Sequence, residues 1–200
     1  MYNAYFTMLA DILLNKSYLL VNKHKYRLIE IEFYLKCLGH SDKYTHCHED
    51  QLLRNTFYFH KFKTGTYKNG TFRGLDIVYG DAKTESYFGV LIRSIQKISN
   101  KKTNIIEGPC NVVNCILEEY DFDNIMDFTS GCNLNIFHND RNFVIKPFED
   151  LPPKEIYVGP RIGLSNKYPS YQNRDYRFVI NKDHIKKKKT TLKAPDNQIF

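Results

Sequence analysis

A chain of 200 residues is long enough to bury one substantial core, and 42% hydrophobic with 26% charged residues excludes a composition-driven disordered chain and a bilayer-embedded one. A formal charge of +7 and a pI near 9.0 favour an anionic partner, nucleic acid first, because Lys and Arg neutralise phosphates and release counterions. No apolar run approaches the roughly 20 residues of a membrane-spanning helix, the start MYNAYFTMLADILLN lacks a secretory pattern, and five cysteines without a CxxC pair argue for reduced thiols.

Residues 2–14 place Tyr5, Met8, Leu9, Ile12 and Leu13 at helical spacing, which predicts a scaffold helix. Ser17–Val21 and Tyr26–Leu35 read as the two strands of a hairpin around a polar turn at 22–25. In the second strand Ile29, Ile31, Phe33 and Leu35 share one face, and Glu30, Glu32 and Tyr34 the other, because strand side chains repeat every two residues. A core face and a wet, chemical face are therefore expected on one strand. A charged wet face is common on antiparallel strands, so Glu30 paired with a lysine on the neighbouring strand is the plainer reading of the same pattern.

The polar stretch 37–50 carries His40, His46 and His48, but its spacing with Cys47, Cys110 and Cys115 fits no zinc-deaminase pattern, and no metal is expected. TFYFH at 56–60, Leu75–Tyr79 and Tyr87–Ile95 predict further strands, with Arg93 interrupting the apolar run FGVLIRSI. An arginine there sits at a cleft or pairs with a buried carboxylate. Gly108-Pro109 opens a helix, Asn135–Pro147 reads as a strand, YVGPRIGLS at 157–165 is a glycine-flanked segment containing Arg161, and DYRFVI at 175–180 a closing strand. Lys186 to Lys189 begin a basic stretch, so a domain over 1–184 and a flexible tail over 185–200 are expected.

The order of these segments resembles the alkyladenine (methylpurine) DNA glycosylase family. Ile31-Glu32-Phe33-Tyr34-Leu35 matches its E-x-Y strand, Asp42 with His46 its D-x-x-x-H, and Val90-Leu91-Ile92-Arg93 its apolar strand ending in arginine. Gly108-Pro109, Arg161-Ile162-Gly163 and Tyr176-Arg177-Phe178 follow in the same order. The resemblance implies a single α+β domain, a curved antiparallel sheet with flanking helices, which hydrolyses the N-glycosidic bond of a purine flipped out of DNA. It implies Glu32 as the base that activates water, Arg93 as its orienting partner, and Tyr34 and His46 as the rings that sandwich the purine. Asp76 falls near the family's pocket asparagine, and Glu30 shares the face of Glu32, so both are placed with the substrate.

Within 63–80 no tyrosine aligns with the family's duplex wedge, which leaves a nucleoside or single-stranded substrate, or nucleic-acid binding without turnover, as alternatives. Arg54, Arg73, Arg161, Lys186 and Lys187 are expected to form an anion-binding surface around the pocket. The whole reading is of an intracellular monomer, cytoplasmic or nuclear, that works on DNA without cofactor or membrane.

Overall fold

The computed structural model describes residues 2–100 and 104–194, and its frame is one 14-residue strand. In chain order, α1 (Tyr2–Asn15) leads into the hairpin of β1 (Ser17–Val21) and β2 (His24–Cys37), and β3 (His40–Ser41) folds back on the end of β2. A meander of β4 (Arg54–Phe59), β5 (Leu75–Tyr79) and β6 (Tyr87–Lys97) follows, then β7 (Ile105–Glu107), α2 (Pro109–Glu119) and α3 (Ile125–Thr129). The chain continues through β8 (Phe143–Pro147), β9 (Tyr157–Gly159), α4 (Pro169–Gln172) and β10 (Arg177–Val179).

All strand pairs are antiparallel, in the order β4-β5-β6-β2-β1-β8, with β10, β3 and β7 paired off that path. One edge of β2 follows β6 from Tyr26 to Lys36, while the other is divided among β1, β10 and β3. A strand shared in this way bends, and register shifts on both sides of Glu30 add twist. The result is a single-domain α+β fold around a curled antiparallel half-barrel.

The alternation in β2 is present, but its polar face is not wet: Glu30 and Glu32 are as buried as Ile29, Ile31 and Phe33. The cover comes from the chain after β9, where Arg161 Nη1 donates to the Phe33 carbonyl and the Ile162 N–H to Glu32. On the core face Phe33 stacks on Phe6 of α1 at 4.5 Å and meets Phe178 of β10 edge-on. That contact sets the rotation of α1, which buries Phe6, Leu9, Ala10, Leu13 and Leu14. Tyr5, Met8 and Ile12, expected on the buried stripe, are exposed.

Two further expectations change. Only Phe143–Pro147 of the expected strand 135–147 is extended, because Asn135 and Asn139 turn the chain by accepting N–H groups two to four residues on. Residues 185–194 are not a free tail: Ile185 and Leu192 are buried, Lys193 bridges to Val158, and Arg177 donates to the carbonyls of Lys187 and Lys188. Residues 195–200 lie outside the described residues. Among the described residues no helix is long and apolar enough to cross a membrane.

Candidate active site

The pairing of β2 with β6 sets Leu91 directly opposite Glu32 and puts Arg93 diagonal to it on the same face. Arg93 Nε lies 3.2 Å from Glu30 Oε1 and 3.4 Å from Glu32 Oε1. Glu30 is claimed from its other sides by Arg177 Nε at 2.7 Å and by the Ser94 hydroxyl at 2.6 Å. Two carboxyl groups and two guanidinium groups are thus enclosed as a charge-balanced set, the condition under which buried ions are tolerated. Glu30 is therefore a support for Arg93 and Arg177, not the substrate contact expected of it. The cross-strand ion pair expected at Glu30 forms with arginines in place of a lysine, and on a buried face in place of a wet one.

Glu32 is fully enclosed and accepts the Ile162 N–H at 2.7 Å and the Tyr34 hydroxyl at 2.8 Å. Burial raises its pKa, Arg93 and the Ile162 N–H oppose the rise, and neighbouring Glu30 adds to it. The Arg93 guanidinium favours the ionised carboxylate. Enclosure outweighs it and moves Glu32 in the direction that suits a general base working near neutral pH. Burial, then Glu32, raises the Tyr34 phenol, which keeps its proton and donates.

A cavity of about 140 Å³ opens beside Tyr34. Tyr34 and Leu91 wall it from the sheet, Leu164 from the loop after β9, and Tyr44 and His46 from the loop after β3. Its polar end is made by Gln51, His60 and Asp76. One face of Tyr34 carries the Arg161 guanidinium, 4.4 Å from the ring centroid, and Arg161 is in turn held by both oxygens of buried Asp42. Glu32 does not line this cavity; it meets Tyr34, which does.

His46 stands at the rim with its outer side exposed, its ring edge-on to His60 at 4.4 Å and its Nε2 2.9 Å from Lys68 Nζ. The enclosed side of the ring, then repulsion from His60, takes its pKa down to about 4, so the ring is neutral near pH 7 and accepts from Lys68. At the polar end, buried Asp76 accepts His60 Nε2–H at 2.8 Å and Gln51 Nε2–H at 3.1 Å. The structure thus brings Glu32, Arg93, Tyr34, His46 and Asp76 to one place, from strands and loops far apart in the chain.

The expected anion-binding set does not gather there. Arg161 is buried on Asp42, Arg54 pairs with Asp81 at the opposite end of β4, and Arg73 donates to Asn114 of α2. Lys186 and Lys187 hold Glu107 by their backbone N–H groups and line a separate groove with Lys154 and His184. The cations at the cavity mouth are Lys61, Lys63 and Lys68, which with Phe62 and His48 line an open groove of about 760 Å³ that shares His46 with the cavity. They ride on a small hairpin closed by the Lys61–Tyr67 bridge.

His60, Gln51 and the hairpin lysines were not singled out from the sequence. For His60 a signal existed: Tyr58 pairs with Asp76, and strand parity carries Tyr58 and His60 to the same face. Among the described residues no group of three or more His, Cys, Asp or Glu side chains is placed to hold a metal ion.

No protein-family model matches the sequence. The chain is similar to a protein of Acanthamoeba polyphaga mimivirus, "Uncharacterized protein L759", with 53% identity in a match that covers 94% of this chain and 92% of the viral one.

Proposed function

The chain belongs to the same family as that mimivirus protein, and we propose that it is an N-glycosylase that removes a purine-type base from nucleic acid by water attack. The observation that carries this reading is convergence. Of the residues matched to alkyladenine DNA glycosylases, which span 130 positions, Tyr34 and His46 line one small aromatic cavity, and Arg93 and Ile162 meet on Glu32 directly behind Tyr34. A curled antiparallel sheet with a helix opened by Gly108-Pro109 also agrees with a glycosylase-like fold.

In this mechanism the base enters between Tyr34 and His46. Stacking there is worth roughly 1–3 kcal/mol, enough to offset much of the few kcal/mol spent on unstacking. Glu32 takes a proton from the water that attacks the anomeric carbon, the carbon–nitrogen bond breaks, and the base leaves with the bonding pair. Developing positive charge on the sugar is stabilised by the same carboxylate. Turnover requires that water take a place now held at Glu32 by the Tyr34 hydroxyl or the Ile162 N–H. Phe62, 43% exposed beside Lys63 at the cavity mouth, supplies an apolar wedge where no tyrosine aligned.

The enclosure of Glu32 favours a second reading, a pocket that binds a flipped or free base without cleaving it. Incubating the protein with modified duplexes, single strands and free nucleosides, and scoring both retention and released base, separates the two. Release from any of the three supports the glycosylase; retention without release supports the binder.

A further inference from the structure

The polar end of the cavity carries an acceptor with no partner. Gln51 is 1% exposed, its amide nitrogen donates to Asp76 Oδ2, and its carbonyl Oε1 meets no donor among the described residues. The orientation of the amide is set by its neighbour: turned over, the carbonyl would face a carboxylate oxygen, acceptor against acceptor. Asp76 itself uses two of its roughly four acceptor positions, one on His60 and one on Gln51.

This end is also built tightly. Gly89 lies beneath it, and a Cβ there would come within 2.5 Å of Asp76 Oδ2 and 2.9 Å of Gln51 Nε2. The two polar side chains therefore rest on bare backbone, fixed from one side by strand β6 and from the other by His60. Beside the aromatic and aliphatic walls, Gln51, His60 and Asp76 supply the polar side chains of the lining.

We propose that Gln51 is the specificity-determining residue of this cavity. Its carbonyl, backed by Asp76, selects a planar ring with N–H donors along one edge, as the amine and ring N–H of a guanine-type base provide, over a ring with acceptors or alkyl groups there. The inference rests on the base-pocket reading and adds the substrate class to it. The physical basis is asymmetry: a ring that cannot donate leaves a buried carbonyl desolvated and unpaired, whereas a donating ring satisfies it.

Free bases test this without requiring turnover. The chain has no tryptophan, so the fluorescence of 2-aminopurine, which carries the exocyclic amine of guanine, is read cleanly on titration. Purine and 2-dimethylaminopurine, which share its imidazole N–H but lack the exocyclic N–H donor, compete for the same site. Wild type is expected to bind 2-aminopurine about tenfold or more tighter than either competitor. Gln51→Met, with folding checked by thermal unfolding, should bind all three alike, near the level of purine. A wild-type protein that binds the rings without preference overturns the proposal and leaves the base pocket standing; this arm decides even if the variant does not fold. A preference that survives in Gln51→Met also overturns it. Binding of none of the three removes the base pocket and this inference with it.

Discussion

At Tyr34 the geometry depends on a residue the ligand never needs to touch. Asp42 holds Arg161, and Arg161 holds the ring from behind. Both side chains of the pair are fully buried, so Asp42→Asn leaves a buried guanidinium short of its counter-charge and should cost about 3–5 kcal/mol in urea unfolding. An effect below about 1 kcal/mol, the level of an exposed pair, would show that water reaches Arg161. Glu30→Gln belongs to the same class, since it leaves Arg93 and Arg177 to share the charge of Glu32 alone. It is thus a stability variant and not a silent control for Glu32.

The histidines give the fold a pH dependence whose sign follows from their environment. Burial lowers the pKa of His40, whose Nδ1–H donates to Leu35 and whose Nε2 accepts from Tyr176, and enclosure takes His46 from 6.5 to about 4. Between those values the unfolded chain binds protons that the folded chain does not. Stability from His46 is therefore fully present above pH 6.5 and is lost as pH falls toward about 4. Glu32, with a raised pKa, acts in the opposite sense. Comparing urea midpoints across that window, His46→Phe should flatten the decline seen in wild type; an unchanged slope would place the titration elsewhere.

Among the elements, the loop before β4 is fixed by close approach to the β5–β6 turn. A Cβ at Gly80 would lie 1.9 Å from the Gln51 carbonyl oxygen and 2.8 Å from Leu52 Cα, both backbone atoms that cannot swing away. Gly80→Ala should therefore lower stability by about 1–3 kcal/mol, read as a fall in Tm, and weaken base binding because Gln51 moves with its backbone. Unchanged stability would mean that the loop yields freely.

The β2 pattern was legible in the sequence because a period of two assigns faces whatever covers them. The identity of the cover was not. It comes from 160–176, a segment without periodicity, and its contacts cross 119 to 130 positions, as in Arg161 to Asp42 and Ile162 to Glu32. Arg161 read as a surface cation for that reason: a lone arginine near glycines looks exposed until its buried carboxylate is known. The rotation of α1 was equally open, since the helix has apolar residues on more than one side and only the stack of Phe6 on Phe33 decides between them. The docking of 185–194 depends on Glu107 and Val158, which nothing local to the lysine run announces.

For the whole molecule, a net charge of +7 matters through where the cations stand. Lys63 and Lys68 border the cavity mouth together with Lys61, although Lys61 is shared with Asp50. Replacing all three by Gln should reduce the salt slope of binding by about 2 to 3, since each phosphate contact contributes about 0.9 on a duplex and 0.7 on a single strand. Lys186→Gln with Lys187→Gln should leave the slope unchanged if nucleic acid approaches by way of His46. Anisotropy titrations of a labelled duplex and a labelled single strand at several salt concentrations check both. The reverse pattern would move the interface to the groove beside Glu107.

In the proposed mechanism Glu32, enclosed by Arg93, Tyr34 and Ile162, activates water against a base held in the adjacent cavity. Glu32→Gln keeps the shape and one carbonyl acceptor for the Ile162 N–H, and removes the basicity. Single-turnover release of base, measured beside the affinity for the same substrate, tests it most directly. Release from a substrate cleaved by wild type is expected to be lost while affinity is kept within a few fold. Release by Glu32→Gln at the wild-type rate would contradict it.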